Sequence, residues 1–368
     1  MDVRKPARAE TVGSLLTPKR LLDAREAAKR GELDQDALVA VEDECVRDAI
    51  ALQEEVGLDV ITDGEQRRPA WSDTVRHLDG LERRSGAQSY PAHVDPTGTG
   101  AAAVFRDFPI VLRPVSPHGE PLGAEYPFLQ AHAHTRTKYT MAAPSYHRRY
   151  WSDELSTAAY PSCEGFLVAV RDWLRDVAGR LVAEGCTYLQ LDAPNYGSLC
   201  DPDNRAFHAA RGHDLDAQLE FDARLDSSVF EGLDVTRALH VCRGNLPGGA
   251  WHSSGGYAAI ADRLFPNLDL DVVLLEYDSE RAGDLSPIEL VPDGTTVVLG
   301  LLTTKDGQLE RAGDLRSRID EAAAHRPLDQ LALSTQCGFA SAANAPMTGE
   351  EQRAKLQMVA DIAHDVWH

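Results

Sequence analysis

The chain has 368 residues, 43% of them hydrophobic and 26% charged, which is an ordinary globular composition. Its net charge of −21 argues against nucleic acid or an anionic membrane surface as partner, because both require a basic face. No apolar run is long enough to span a membrane, and Met1 to Glu10 is charged rather than a signal-peptide core, so a cytoplasmic protein is expected.

In chain order, eight short apolar runs read as strands: Arg8–Val12, Leu58–Thr62, Tyr139–Ala142, Thr187–Leu191, Ala238–Val241, Asp271–Leu275, Thr296–Leu301 and Gln330–Ser334. β-Branched and leucine-rich runs of this length suit strands buried on both faces. Between them, Asp36–Glu55, Glu164–Glu184, Gly255–Phe265, Leu309–His325 and Gly349–Trp367 read as helices. In the second of these, Phe166, Val170, Leu174, Val177 and Leu181 recur at helical spacing, and Gly185 suits a C-cap. Thr348 followed by Glu351 resembles a capping box for the last helix.

Strand and helix in alternation imply parallel strands joined by crossover helices. Eight such units favour a closed (β/α)8 TIM barrel over an open sheet. No GxGxxG follows an early strand, which argues against dinucleotide binding. Residues 75–137 are rich in Pro, Gly and His and lack sustained periodicity. We expect them to form an inserted lid or hairpin after the second strand, within a single barrel spanning 1–368.

Six cysteines, at 45, 163, 186, 200, 242 and 337, are too scattered for a disulfide framework. Cys45, Cys163 and Cys186 fall in or beside helices and read as core thiols. His240 and Cys242 are different: two apart in an extended segment, their side chains face the same way. Glu276 ends the next strand, and Cys337 follows the eighth. Barrel active sites gather at that strand end, and His, Cys, Glu and Cys make a tetrahedral set that zinc accepts. Ligands this far apart suit a substrate-facing ion better than a closed structural one. Zinc held by two thiolates is a poor generator of hydroxide but can bind and deprotonate an incoming thiol. The alternative is two buried structural thiols, with Glu276 paired to an arginine.

At these residues the chain resembles the catalytic barrel of cobalamin-independent methionine synthase, and more closely that family's short single-barrel homologues. The resemblance runs nearly the whole chain. It is carried by TVGS at 11–14, TDGEQRR at 62–68, LQLDAP at 189–194, HVCRGN at 240–245, LEYDSERAGD at 275–284 and LDQLALSTQCGFAS at 328–341. It implies that His240, Cys242, Glu276 and Cys337 hold zinc, and that Val12, Gly13, Ser14, Glu65 and Asp192 contact homocysteine. Ser14 and its neighbouring amides suit a carboxylate, while Glu65 and Asp192 are acceptor-only groups suited to an ammonium. The competing role for Glu65 is a salt bridge to Arg67 or Arg68, and for Asp192 a helix cap.

The departures concern the donor. Ser198 stands where the family's long enzymes carry an acidic folate contact, and their DEP is DAP here, at 192–194. Their proton-donor histidine falls at Thr303 to Lys305, so Lys305 is the candidate to assist a leaving group. The long enzymes' N-terminal barrel has no counterpart.

The expected activity is therefore zinc-dependent S-methylation of homocysteine or a related amino thiol, as in methionine biosynthesis. A methylated corrinoid or another small methyl compound is a possible donor. Two rivals are an alkyltransferase that opens an epoxide with a different thiol, and a non-catalytic homologue with structural zinc. Uroporphyrinogen decarboxylase is a distant barrel relative whose chemistry needs no zinc.

Overall fold

The computed structural model describes residues 6–84, 89–94, 102–107, 109–340 and 346–367. All eight expected strands form, with boundaries within two residues of the sequence reading. They are Ala9–Glu10, Val60–Ile61, Tyr139–Ala142, Tyr188–Asp192, Thr236–Val241, Val272–Glu276, Thr296–Leu302 and Leu331–Thr335. All pair in parallel, and the first strand meets the eighth through Ala9 opposite Leu333.

The third strand closes the ring. Its first half, Arg136–Thr137, pairs with the second strand, while Tyr139–Ala142 pairs with the fourth. Only Lys138 separates the halves, and its N–H donates to the Ile61 carbonyl at 2.9 Å. The architecture is thus a (β/α)8 barrel.

Alternation along the strands divides the core in two. Leu189, Leu191, Leu239, Val241, Val273, Leu275, Val297 and Leu299 face outward and join the apolar faces of the helices. Tyr188, Ala238, Val272, Leu274, Val298 and Ala332 fill the barrel itself. The interior also carries a buried ion pair, Lys138 Nζ to Glu10 Oε2 at 2.7 Å, with the Tyr188 hydroxyl donating to the same carboxylate.

Helices Gln35–Glu55, Cys163–Ala183 and Gly349–Trp367 form as their periodicity predicts. Phe166, Val170, Leu174, Val177 and Leu181 are all buried. Gly185 adopts φ +98° just past the second helix, as a C-cap requires. The capping box forms too: the Glu351 N–H donates to Thr348 Oγ1 at 3.2 Å, and the Thr348 N–H to Glu351 Oε2 at 2.7 Å.

Two expectations need correction. The run 255–265 is no continuous helix but a 3-10 turn, a short helix at Ala261–Leu264 and a second 3-10 turn holding Pro266, whose missing N–H stops the ladder. The helix expected from Leu309 starts only at Ala312. Two further helices, at Lys19–Lys29 and Leu215–Ser227, form without a clear apolar stripe in the sequence. Asp214 caps the latter by accepting from the Ala217 N–H at 3.0 Å.

Within 75–137, Leu78–Arg83 pairs antiparallel with Pro109–Pro117, and Ser89–Val94 with Ala102–Asp107. A helix at Tyr126–His132 then leads back to the barrel, whose third strand already begins at Arg136. Residues 85–88, 95–101 and 108 of this stretch lie outside the described residues, as does Ser341. Among the described residues no helix is long and apolar enough to cross a membrane.

Candidate metal centre and substrate cavity

His240 is the penultimate residue of the fifth strand and Cys242 follows its end, so the period of two aims both side chains to one side. Cys337 sits just past the eighth strand, and its Sγ lies 3.8 Å from that of Cys242. One ligand atom from each of His240, Cys242 and Cys337 falls within 4.8 Å of the others. Both nitrogens of His240 are buried, and neither has a hydrogen-bond partner. Such orphaned donors and acceptors are costly unless something binds them. Cys337 and burial together push the Cys242 thiol well above its ordinary value, so this thiol ionises readily only beside a cation. The donor set fits zinc.

Glu276 ends the sixth strand but is not in that close group. Its carboxylate accepts the Arg243 N–H at 2.6 Å, ion-pairs with Arg281, and lies 3.7 Å from Lys305 Nζ. Burial alone would raise its pKa, but Lys305, Arg281 and Arg243 outweigh it and pull the group down to about 2. Glu276 is therefore held ionised. Lys305 is not brought to the cavity wall; its ammonium pairs with Asp278.

The cluster opens into a cavity of about 1260 Å3, lined also by Val12, Ser14, Glu65 and Asp192. That exceeds the ~300–1,000 Å3 of most ligand sites, leaving room for two reactants. Ser14 is tied to the loop bearing Cys337: its carbonyl accepts from the Phe339 N–H at 2.8 Å and its Oγ from the Ala340 N–H at 3.3 Å. Gly13 lies so close to Glu65 that a Cβ would stand 2.7 Å from Oε1.

Glu65 has φ +56°, the one positive value among described residues other than glycine. Left-handed backbone is costly for such a residue and persists where the surroundings enforce it, often at functional sites. Here Asp63 accepts the Glu65 N–H at 2.9 Å, and Thr140 donates to Oε1 at 2.8 Å. Arg68 lies 3.8 Å from Glu65 but bonds Glu125 at 3.0 Å, and Arg67 pairs with Asp43. Burial pushes Glu65 up to about 7, against the pull of Arg68. Asp192 is pushed up to about 6 by burial, against His240 and a hydrogen bond from Gln190. Both carboxylates face the same cavity and favour a cationic ligand.

The outer wall went unread in the sequence. Trp71, Tyr146, Tyr150 and Trp151 line it with Arg148 and Arg149. The Trp71 and Tyr146 rings are 4.8 Å apart, and the Arg149 guanidinium lies 4.4 Å from the Tyr146 centroid. The signal was present in SYHRRYW at 145–151, a dense aromatic and basic run directly after the third strand. Ser198 also lines the cavity, donating to the Asn195 carbonyl at 2.7 Å.

No known protein-family profile matches the chain. It is 34% identical to the uncharacterized Bacillus subtilis protein YxjH over 369 residues, 99% of this chain and 96% of that one. The uncharacterized YxjG of the same organism is also 34% identical, over 370 residues with the same coverage. Among solved structures, the chain is similar to a Listeria monocytogenes protein provisionally named a vitamin-B12-independent methionine synthase. That match has a TM-score of 0.75 and 28% identity, and covers 99% of this chain and 98% of the other. A B12-independent methionine synthase from a Shewanella species, in complex with selenomethionine, matches with a TM-score of 0.70 at 20% identity, covering 98% of this chain and 97% of that one. The latter likeness speaks to fold alone.

Proposed function

Given that the chain belongs to the short single-barrel homologues of cobalamin-independent methionine synthase, we propose that it is a zinc-dependent S-methyltransferase acting on homocysteine or a related amino thiol. One observation carries the reading: His240, Cys242 and Cys337 converge at the base of a cavity that two buried carboxylates, Glu65 and Asp192, also face.

In this reading His240, Cys242 and Cys337 would hold zinc, and Glu276, outside their close group and paired with Arg281 in this structure, would complete the set as fourth ligand. When bound, zinc supplies the positive charge that keeps a substrate thiol ionised near neutral pH. Glu65 and Asp192 bind the substrate ammonium, each as an acceptor-only group. Ser14 Oγ accepts from Ala340, which leaves its own proton for the substrate carboxylate. Val12 and Gly13 carry the adjoining backbone. Anchored at its amino-acid end, the substrate presents its sulfur to a methyl group delivered from the outer cavity. The carbon–sulfur bond forms as the donor–methyl bond breaks, and positioning supplies much of the rate. Lys305, paired to Asp278, serves to hold Glu276 rather than to assist the leaving group. The stretch within 75–137 is an elaboration of the one barrel, and the protein works in the reducing cytoplasm on small molecules.

Metal analysis and binding titrations test the proposal together. About one zinc per chain is expected, lost in Cys242→Ser and Cys337→Ser. Asp192→Asn should keep the zinc yet weaken homocysteine binding by roughly tenfold or more, because a charged hydrogen bond contributes about 1.5–3 kcal/mol. A thiol without an amino group should be indifferent to that change. Full zinc occupancy in the double serine variant, or no methylation of any amino thiol by the wild type, would sink it.

A further inference from the structure

Behind the cavity wall, a chain of buried contacts runs through the barrel interior to Asp192. Lys138 Nζ donates to Glu10 Oε2 and to Gln190 Oε1, each at 2.7 Å. Gln190 Nε2 donates onward to Asp192 Oδ1 at 2.8 Å and to the Val12 carbonyl at 2.9 Å. Gln190 is 0% exposed and Lys138 1%.

The chemistry of these groups leaves the amide one orientation. An ammonium only donates, while a carboxylate and a carbonyl only accept. Turned over, the amide would set its NH2 against the ammonium and its oxygen against two acceptors. Lys138 cannot swing aside to allow this. Glu10 anchors its head, and its backbone is the link between the two halves of the third strand. Both amide hydrogens are thus committed to residues of the amino-acid end.

We propose that Gln190 is a positioning residue: its amide, oriented by Lys138, fixes the Asp192 carboxylate and the Val12 carbonyl relative to each other, so that Asp192 meets a cationic amino group in one geometry. The inference deepens the amino-thiol reading of the site and rests on it.

The other carboxylate is held on the same plan. Arg68 Nη1 donates to Thr140 Oγ1 at 3.1 Å, which directs the Thr140 proton to Glu65 Oε1 at 2.8 Å. In each case a neutral side chain stands between a buried cation and a cavity carboxylate. Each cation also has a carboxylate of its own, Glu10 for Lys138 and Glu125 for Arg68. Arg68 remains within 3.8 Å of Glu65, so the insulation is more complete at Asp192. An oriented carboxylate that is not neutralised by the protein is what selects a cation over a neutral group.

The test uses Gln190→Met, which keeps the length and removes both donors, and Gln190→Glu, which keeps an acceptor for Lys138. Homocysteine and 2-mercaptoethanol are compared as methyl acceptors, with zinc content measured alongside. Crystal structures of the wild type and Gln190→Met give the Asp192 side-chain conformation. We expect KM for homocysteine to rise about tenfold with kcat nearly unchanged, since one hydrogen bond to a charged group is lost. Zinc content and turnover of 2-mercaptoethanol should hold, and Asp192 should rotate from its wild-type position. An unmoved Asp192 with unchanged KM overturns the inference, as does an equal loss for both thiols accompanied by loss of zinc. If the wild type shows no preference for homocysteine, the amino-thiol reading fails instead. The Asp192 conformation then decides alone, a rotation supporting the lock and an unmoved side chain refuting it. Should Gln190→Met not fold, Gln190→Glu carries the same comparison.

Discussion

Replacing Gly197 with alanine probes how tightly the main chain fixes the proposed ligand Cys242. Gly197 lies in the short helix Pro194–Ser198, which follows the fourth strand. An alanine Cβ there would stand 2.0 Å from the Cys242 carbonyl oxygen and 2.7 Å from its carbon, whereas ordinary contact begins at 3.4 Å. The obstacle is backbone, not a side chain able to swing aside. Relief must therefore shift Cys242, or the helix against it, by more than an ångström. Metal–ligand distances tolerate only about 0.2 Å. Overpacking of this kind costs about 1–3 kcal/mol. If all of it falls on the metal-bound form, zinc affinity drops by roughly 5- to 150-fold. Competition with a chromophoric chelator measures the affinity, and thermal melts with and without zinc separate it from general unfolding. Wild-type zinc affinity in Gly197→Ala would refute the argument that this contact sets the ligand's position.

Lys138→Met leaves Glu10 buried without its partner and should destabilise the fold by about 3–5 kcal/mol in urea titrations; a loss under about 1 kcal/mol contradicts the buried pair. Glu65, pushed up to about 7 by burial, must be ionised to pair with an ammonium, so homocysteine binding should weaken as pH falls through about 7 while a plain thiol shows no such limb. The same raised value gives the ligand-free fold a stabilising contribution at low pH that disappears as pH rises through about 7; pH-dependent melts of Glu65→Gln against wild type should show it. If, as the resemblance implies, Ser198 stands at the position of the acidic folate contact, polyglutamylated methyltetrahydrofolate should be a poorer donor than a methylcorrinoid. Folate turnover matching that of a long methionine synthase assayed alongside would contradict this.

The barrel was legible because its strands are buried on both faces, and such runs stand out as continuous apolar stretches. The break at Lys138 was not, since nothing local distinguishes a lysine that pairs inward with a glutamate 128 positions away. His240 and Cys242 could be found from strand period alone, and Cys337 from its place after the eighth strand. Glu276 is harder: the sequence puts it at the right strand end, yet its pairing with Arg281 depends on how a loop folds back. Lys305 illustrates the same limit, since Asp278 captures it from another strand's loop. The helix at Leu215–Ser227 is hard to see in the sequence because LDAQLEFDARLDS mixes acidic and apolar residues at short range. Its burial is supplied by packing rather than by a visible stripe.

The site residues divide the ring into two arcs. Ser14 and Glu65 follow the first and second strands and Asp192 ends the fourth, while His240, Cys242, Glu276 and Cys337 lie in or just after the fifth, sixth and eighth. On the proposed reading, one arc chooses the molecule and the other performs the chemistry. Descendants of a common ancestor can then drift in what they accept while keeping the cysteines intact. Shared metal ligands would group such relatives together without saying that they consume the same compound. To sort them by substrate, the informative comparison is the stretch from Thr11 to Asp192, beginning with whether an acid at 65, an acid at 192 and the glutamine at 190 are kept together.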